Sequence, residues 1–203
     1  MWNDTVIELI RGAPGDLLDL SRMGLGQFKI GTISQRRQAI SNVIGELKYL
    51  RLESRQSRVE AMSTIIPAIP SSNLMMTSEQ IRMLHNSGME IGGHTANHPI
   101  LASMENNAAR AEIADGREML ESIIHAPVRF FAYPNGKPGR DYLSDHVKMV
   151  KDLGFDAAVS TAHGAAMTGV DLYQLPRFTP WDRGQVRFTL RMAQNMLKAV
   201  ETV

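Results

Sequence analysis

The sequence predicts an α/β fold, and three observations carry this prediction. From residue 74 onward, stretches with helical periodicity alternate with short runs of β-branched and aromatic residues. Glycines stand where two of the predicted helices should end, at Gly88 and Gly154. The 203 residues, of which 43% are hydrophobic, suffice for one domain with a sizeable core. Alternating helices and strands imply parallel strands with crossover helices, either in an open doubly wound sheet or in a (β/α) barrel.

The first part of the chain, residues 1–73, is predicted to be a helical segment followed by a linker. Apolar residues recur at helical spacing between residues 35 and 66, which predicts one or two amphipathic helices. The stretch IIPAIPSSN at residues 65–73 contains two prolines and then Ser-Ser-Asn, a composition typical of linkers. Residues 74–203 are therefore predicted to form the α/β domain, with the helical segment packed on it.

The α/β domain is predicted to begin with a helix and a short strand. Thr77 and Gln80, three residues apart, form a capping-box pattern at the start of the helix. Gly88 is expected to end this helix. Residues 89–91 are then predicted to form a short strand that runs into a pair of glycines.

The later elements repeat the same unit. Helices are predicted at about residues 107–124, 142–153 and 185–200, and strands at about residues 128–133, 155–160 and 175–178. In parallel α/β folds, ligands bind beyond the carboxyl ends of the strands. The polar residues expected to gather there in a single pocket are His94, His98, Tyr133, Asn135, His163, Arg177 and Asp182.

Composition excludes several classes of function. The chain has no cysteine, so any metal site must use histidine and carboxylate ligands. The formal net charge is +1, without a cluster of Lys and Arg suited to a phosphate backbone, so no nucleic-acid partner is expected. No apolar run approaches the roughly 20 residues that span a bilayer, and the N-terminus lacks the pattern of a signal peptide. We therefore expect a protein without a membrane span that stays in the cytoplasm.

The stretch GGHTANHP, residues 92–99, is the strongest candidate for a functional site. His94 and His98 are four residues apart, so on a helical turn both imidazoles can bind one zinc ion at about 2.0–2.1 Å. The glycines allow a sharp bend before them, and Pro99 fixes the exit of the turn. The alternative is a helix N-terminus at which the histidines bond to the backbone or to solvent. His163, at a predicted strand end, is the other histidine that can join this pocket.

Four segments taken together resemble a known family: MTSEQIRMLHNSGMEIGGHTANHPIL, APVRFFAYPNGKPG, LGFDAAVSTA and LPRFTPW. In this order they resemble the polysaccharide deacetylase family (NodB homology, carbohydrate esterase family four), particularly its exopolysaccharide-associated members, over about residues 74–183. The resemblance implies a distorted (β/α) barrel with a divalent metal, usually zinc, that two histidines and one aspartate hold. His94 and His98 match the two histidine ligands. The implied reaction is the hydrolysis of N-acetyl groups of amino-sugar polymers.

The resemblance also suggests roles for residues after the histidines. A strand-end motif of the family matches residues 131–136. The backbone N–H of Asn135 is therefore expected to donate a hydrogen bond to the oxyanion. Tyr133 and Pro134 are expected to shape the wall of the substrate pocket, and Arg177 is expected to bind substrate.

The chain departs from the family pattern at the catalytic carboxylates. The family's Thr-Phe-Asp-Asp motif supplies the catalytic base and the third metal ligand, and no two acidic residues are adjacent in this sequence. Ala132 stands where the family has an arginine, and no histidine follows Leu175, where the family has its general acid. We therefore expect an N-terminally shortened chain whose barrel is incomplete because the first strands are missing. The open sheet edge that this leaves favours a homodimer.

Three functions remain open on these grounds. The first is a metal-dependent deacetylase that acts on an N-acetylated polysaccharide or oligosaccharide, such as an exopolysaccharide. The second is a catalytically incompetent metal- or sugar-binding protein of the same fold, because the Asp-Asp motif is missing. The third is an α/β scaffold in which GGHTANHP only caps a helix.

Overall fold

The computed structural model describes residues 1–68 and 74–203. The chain divides into two compact units, Met1–Thr77 and Ser78–Val203. Residues 69–73, which are most of the predicted linker, lie outside the described residues. Within the described ranges, no helix combines the length and the apolar character that crossing a membrane requires.

The first unit combines three helices with a β-hairpin. Its helices are α1 (Trp2–Gly12), α2 (Ile33–Lys48) and α3 (Leu52–Ile65), and its strands are β1 (Leu17–Leu20) and β2 (Gly26–Lys29). α2 and α3 confirm the helical periodicity between residues 35 and 66. The two strands pair in antiparallel fashion, with Leu17 opposite Lys29 and Leu20 opposite Gly26. The prediction of a helical first segment therefore misses this hairpin.

The hairpin could not be predicted from the sequence, because its two strands show little alternation of apolar and polar residues. β1 alternates exposed and buried residues over four positions, and β2 contains no fully buried residue. The connection between the strands uses Gly24 and Gly26 at φ values of 73° and 81°, which glycine adopts without steric cost. The hairpin packs through Leu18 and Leu20 into the apolar core that the three helices form. A signal of two buried residues is too short to predict a strand.

The second unit alternates helices with short parallel strands, as the sequence predicts. Its helices are α4 (Ser78–Asn86), α5 (Asn106–Ile124), α6 (Ser144–Asp152) and α7 (Gln185–Met196), and its strands are β3 (Phe130–Ala132) and β4 (Ala157–Val159). α4 begins directly after Thr77, and Gly88 follows it with a φ of 86°, as expected of a helix stop. Gly154 follows α6 in the same way, with a φ of 81°.

Four chain segments lie side by side in parallel in this unit. β3 and β4 pair with Phe131 opposite Ala158. Gly93 pairs with Phe131 on one side, and Leu175 pairs with Val159 on the other. The carboxyl ends of all four segments therefore lie at the same edge, and the predicted α/β class is confirmed.

The two outer segments are shorter than the predicted strands. Residues 89–91 form no strand in the described structure, and pairing begins only at Gly93. Residues 175–178 likewise pair only through Leu175. Each outer segment has a single neighbour in the described sheet. It pairs with that neighbour through one isolated bridge and not through a ladder of hydrogen bonds.

Aromatic side chains dominate the core of the second unit. The ring of Phe131 lies 5.3 Å from the ring of Tyr133 and 5.3 Å from the ring of Phe155. Ala109 and Ile113 of α5 are buried in the same cluster. Packing of a helix against the parallel segments places α5 beside the turn that carries the two predicted histidine ligands.

Candidate metal centre

The turn that carries the two histidines begins where the first parallel segment ends. The N–H of Gly93 donates to the carbonyl oxygen of Phe130 (2.8 Å), and the N–H of Ala132 donates to the carbonyl oxygen of Gly93 (2.9 Å). A Cβ at Gly93 would lie 3.2 Å from the ring of Phe155, so glycine lets the segment approach the aromatic core closely. His94 is therefore the first side chain beyond the paired segment.

His94 and His98 lie side by side in this turn. Their ring centroids are 4.8 Å apart, and the ring planes meet at 71°. The backbone between them has a positive φ at Thr95 (62°) and at His98 (55°). The N–H of His98 donates to Oγ1 of Thr95 (3.1 Å), which closes the turn.

The conformation of this turn corrects two expectations. Residues 94–98 form a loop, not the helical turn that the spacing suggested. No helix begins at these residues either, so the histidines do not cap a helix N-terminus. The two positive φ values bring the rings together instead.

A backbone carbonyl orients the His94 imidazole. Nδ1 of His94 lies 2.7 Å from the carbonyl oxygen of Ala132. Because a carbonyl oxygen only accepts hydrogen bonds, Nδ1 carries the proton, and the lone pair of the neutral ring lies on Nε2. This tautomer and this second contact are typical of a histidine that binds a metal through Nε2.

The surroundings of His94 favour its neutral form. Burial lowers the pKa of the imidazole below the ordinary value of a histidine, because the charged form loses solvation. The hydrogen bond to Ala132 raises the pKa, and the positive charge of Arg177 lowers it further. Metal binding requires the neutral ring, so this balance suits a ligand.

A buried glutamate of α5 holds the tip of the turn. Glu112 is only 8% exposed. Its Oε2 accepts a hydrogen bond from the backbone N–H of Asn97 (2.8 Å), and its Oε1 accepts one from the side-chain amide of Asn97 (2.7 Å). Its backbone carbonyl accepts a third, from the N–H of Ala96 (3.1 Å). One residue of α5 thus fixes the two residues that precede His98.

A glycine one helical turn later lets α5 touch the backbone of the histidine turn. A Cβ at Gly116 would lie 2.7 Å from the carbonyl carbon of Thr95 and 3.0 Å from the nitrogen of Ala96. No side chain fits in this space, so the turn packs directly against α5 at Gly116 and Glu112. This close packing leaves little freedom for the relative positions of the two imidazoles.

The predicted pocket wall at Tyr133 lies in the core. The ring of Tyr133 is fully buried and stacks on Tyr142 at a centroid distance of 3.9 Å. Its hydroxyl donates to the carbonyl oxygen of Tyr173 (3.0 Å). Burial raises the pKa of Tyr133, so this donor keeps its proton. Pro134 is buried as well, so both side chains support the following turn from inside.

Asn135 is half-buried in that turn, with a φ of 59°. Its carbonyl oxygen accepts a hydrogen bond from Oγ1 of Thr161 (2.7 Å), and the carbonyl oxygen of Gly136 accepts one from the N–H of Thr161 (2.8 Å). Among the residues that the structure describes, none accepts a hydrogen bond from the N–H of Asn135. This N–H is therefore available to a ligand, as an oxyanion donor must be.

Thr161 connects this turn to a pocket of about 360 Å³. The pocket is lined by Thr161, His163, Arg177, Phe178, Thr179, Trp181 and Arg191. The ring of His163 meets the ring of Phe178 edge-on at 5.5 Å. Asp182, which was expected to gather at the same edge, forms an ion pair with Arg191, one of the residues that line this pocket. The expected gathering of polar residues at one edge thus holds for His163 and Arg177.

The two imidazoles fit a metal site in donor type but fall short in number. A catalytic zinc site takes three protein ligands, and a structural one takes four. Within residues 1–68 and 74–203, no three side chains of the His, Cys, Asp and Glu types lie close enough together to hold a metal ion. The described chain therefore offers two ligands, and the aspartate expected from the family pattern has no counterpart in it.

The sequence did not predict the residues that support the site, which are Glu112, Gly116 and Thr161. Glu112 precedes Ile113 in an amphipathic helix, where a charged residue is normally taken as solvent-exposed. Its burial depends on the turn packed against it, which periodicity along one helix does not reveal. Gly116 did offer a signal, because a glycine inside a helix costs about 1 kcal/mol relative to alanine and often marks close packing.

Comparison with known proteins finds a matching family and a curated relative. The model of a family described as polysaccharide deacetylase matches residues 56–158, about half of the chain. The Bacillus subtilis (strain 168) protein YxkH, which carries the name polysaccharide deacetylase, is 26% identical over 102 residues. These residues are 50% of this chain and 35% of YxkH.

Solved structures with local similarity include two deacetylases. One is the Streptococcus pyogenes deacetylase PplD in complex with acetate, at 25% identity and a TM-score of 0.49 over 53% of this chain and 46% of that chain. Another is a polysaccharide deacetylase from Bacillus cereus, at 24% identity and a TM-score of 0.46 over 53% of this chain and 33% of that chain. The chain thus spans less than half the length of each of these three relatives.

Proposed function

Because the chain belongs to the polysaccharide deacetylase family, we propose that it forms the histidine half of the active site of a metal-dependent N-deacetylase. The second unit has the α/β fold of this family, as an incomplete (β/α) barrel. The proposed substrate is an N-acetylated amino-sugar polymer, such as an exopolysaccharide. The proposed ligands of the metal, zinc in the first place, are His94 and His98.

The arrangement of the two imidazoles carries this proposal. The His94 ring is turned by the carbonyl of Ala132 so that Nε2 is its free nitrogen, and the His98 ring lies 4.8 Å away. Glu112 holds the backbone between them through Asn97. A His94 ring fixed by its backbone contact, next to His98 on a backbone that Glu112 holds, lowers the entropy lost when a metal binds.

The residues around the histidines supply the remaining functions. A divalent metal held by His94 and His98 would supply Lewis-acid chemistry, polarising an acetyl carbonyl and lowering the pKa of water. The N–H of Asn135 stabilises negative charge that develops on the acetyl oxygen. Arg177, which acts on His94 through its charge, orients the sugar chain at the rim of the site.

Calorimetric titration of the chain with Zn²⁺ tests the metal site. Wild type is expected to bind one equivalent, and His94→Ala and His98→Ala are each expected to weaken binding by at least about tenfold. His163→Ala serves as the control, because its ring contacts Phe178 outside the proposed ligand pair. Absence of binding by wild type, or equal binding by His94→Ala, would refute the proposal.

A second candidate is a sugar- or metal-binding family member without catalytic competence. It is favoured by the lack of a third ligand among the described residues and of adjacent acidic residues in the sequence. Release of acetate from N-acetylglucosamine oligomers by the purified chain, with and without added Zn²⁺, distinguishes the two. Zinc-dependent release supports the deacetylase, and zinc binding without release supports the second candidate.

The homodimer expected from an incomplete barrel is a further part of the proposal. An open sheet edge presents unpaired backbone groups that a second copy can bind. Light scattering coupled to size-exclusion chromatography measures the mass in solution. A mass of 22.5 kDa at all concentrations would contradict the dimer.

A further inference from the structure

The last part of the chain carries a surplus of positive charge. Residues 172–200 contain one acidic residue, Asp182, and five basic residues, namely Arg177, Arg183, Arg187, Arg191 and Lys198. The whole chain has a net charge of only +1, so the remainder is net negative. The positive charge is therefore concentrated beside the pocket that Arg177 and Arg191 line.

Ion pairing within this segment leaves most of the positive charge uncompensated. Asp182 binds Arg191 with both carboxylate oxygens. Among the described residues, no acidic side chain is paired with Arg177. An exposed guanidinium without a carboxylate partner at the mouth of a pocket is suited to an anionic ligand, which it can bind with two parallel hydrogen bonds.

The pocket also has the size and the surface of a site for a sugar ring. Its volume of about 360 Å³ falls in the range of small-ligand sites. Trp181 lines it with an indole that is 86% exposed, so its flat face is accessible to a ligand. Thr179 adds a hydroxyl to the lining. A flat apolar face, hydroxyls and a guanidinium together match a sugar with an acidic group.

Hydrogen bonds hold one wall of this pocket in place. The side-chain amide of Asn195 in α7 is buried and bonds both to the N–H and to the carbonyl of Gly164, each at 2.9 Å. This pair fastens α7 to the loop that carries Thr161 and His163. Thr161 in turn donates to the carbonyl oxygen of Asn135, so the pocket adjoins the turn that carries the proposed oxyanion donor.

We infer that this pocket binds an acidic sugar residue of the polysaccharide, with Trp181 against the ring and Arg177 on the carboxylate. The inference rests on the proposed function, because it identifies the polymer as an anionic one. The acidic residue lies next to the N-acetylated sugar that occupies the metal centre. The site therefore selects chains in which amino sugars and acidic sugars are neighbours.

Binding of two defined hexasaccharides to the chain tests this inference by calorimetry. One alternates N-acetylglucosamine with glucuronic acid, and the other is an uncharged N-acetylglucosamine hexamer. We expect the acidic hexasaccharide to bind at least about tenfold more tightly. Arg177→Gln and Trp181→Ala should each remove most of that preference, and both side chains are exposed, so folding should be unaffected.

The matched control is Arg22→Gln, which removes one charge from an exposed arginine of the first unit. It should leave both affinities unchanged. Equal affinities for the two hexasaccharides, or an equal loss with Arg22→Gln, would overturn the inference. So would equally tight, Arg177-dependent binding of a single-stranded oligonucleotide with the same number of charges. Zinc titration is independent of these measurements, so intact zinc binding without an acidic preference refutes this inference and leaves the proposed function standing.

Discussion

The histidine turn at residues 92–99 and the pocket at residues 161–191 both follow the ends of parallel segments, but they are built in opposite ways. Buried groups hold the turn. Glu112 accepts a hydrogen bond from its backbone, and Gly116 of α5 lets the backbone of the turn pack directly against the helix. Exposed groups form the working surface of the pocket, with Trp181 almost entirely in solvent. In the turn, the residues that fix the geometry therefore also determine the stability. In the pocket, the exposed binding surface of Arg177 and Trp181 is separate from Asn195, which holds one wall.

Glu112→Ala should have the largest effect on the turn. It removes the acceptor of two hydrogen bonds from Asn97 inside a buried contact, so we expect a loss of about 3 kcal/mol in the free energy of unfolding. Urea denaturation measures this loss, and zinc titration should show a weaker site. Glu118→Ala is the control, because Glu118 is exposed on the same helix. Similar losses for the two variants would contradict the role of Glu112.

Gly116→Ala should cause the second-largest loss in the free energy of unfolding. The new Cβ would lie 2.7 Å from the carbonyl carbon of Thr95, so α5 or the turn must move, at a cost of about 2 kcal/mol. Gly45→Ala is a control of opposite sign, because Gly45 lies inside α2 with nothing within 4 Å of the added atom. That variant should gain up to about 1 kcal/mol. The expected contrast fails if both substitutions stabilise the chain to thermal unfolding.

Asn195→Ala should have a moderate effect on the pocket. It removes the two hydrogen bonds between the Asn195 side chain and the backbone of Gly164, which hold α7 to the loop. We expect a loss of about 1–2 kcal/mol in the free energy of unfolding. Amide hydrogen exchange should show faster exchange at Gly164, and the affinity for the acidic hexasaccharide should fall. Gln194→Ala, at the exposed neighbouring position, should change neither quantity. Unchanged exchange at Gly164 would show that Asn195 does not hold this wall.

Arg177→Gln and Trp181→Ala should have the smallest effects on stability. Both side chains are exposed, so each change in the free energy of unfolding should stay within about 0.5 kcal/mol. The same variants should lose binding of the acidic hexasaccharide. A loss of stability as large as that of Asn195→Ala would show that the pocket surface is part of the core, and would remove the distinction between the two regions.

Local patterns predicted the elements of the second unit well. α4, α5, α6 and α7 follow from helical periodicity with glycine stops at Gly88 and Gly154, and these signals lie within one element. The parallel direction of the segments followed from the alternation of helix and strand. The hairpin of β1 and β2 escaped because only two of its side chains are buried in the strand pattern.

The candidate site was predictable only in part. His94 and His98 could be found from a spacing and a resemblance, but the sequence suggested a helical turn, and the structure has a loop with two positive φ values. Glu112 and Gly116 could not be assigned, because their roles arise where α5 meets a segment about 20 residues away in sequence. The ion pair of Asp182 with Arg191, nine residues later, could not be predicted from the sequence, because it forms between a loop and a helix.

The hydrogen bond between His94 and Ala132 extends the hydrogen-bond network of the parallel sheet to the imidazole. The carbonyl of Ala132 belongs to the same peptide group as the N–H of Tyr133, which donates to Val159 in β4 (3.1 Å). A change of electron density at the imidazole therefore alters the polarity of this peptide group. The amide resonance of Tyr133 in a nitrogen–proton correlation spectrum becomes a native reporter, which senses the charge state of His94 from inside the core.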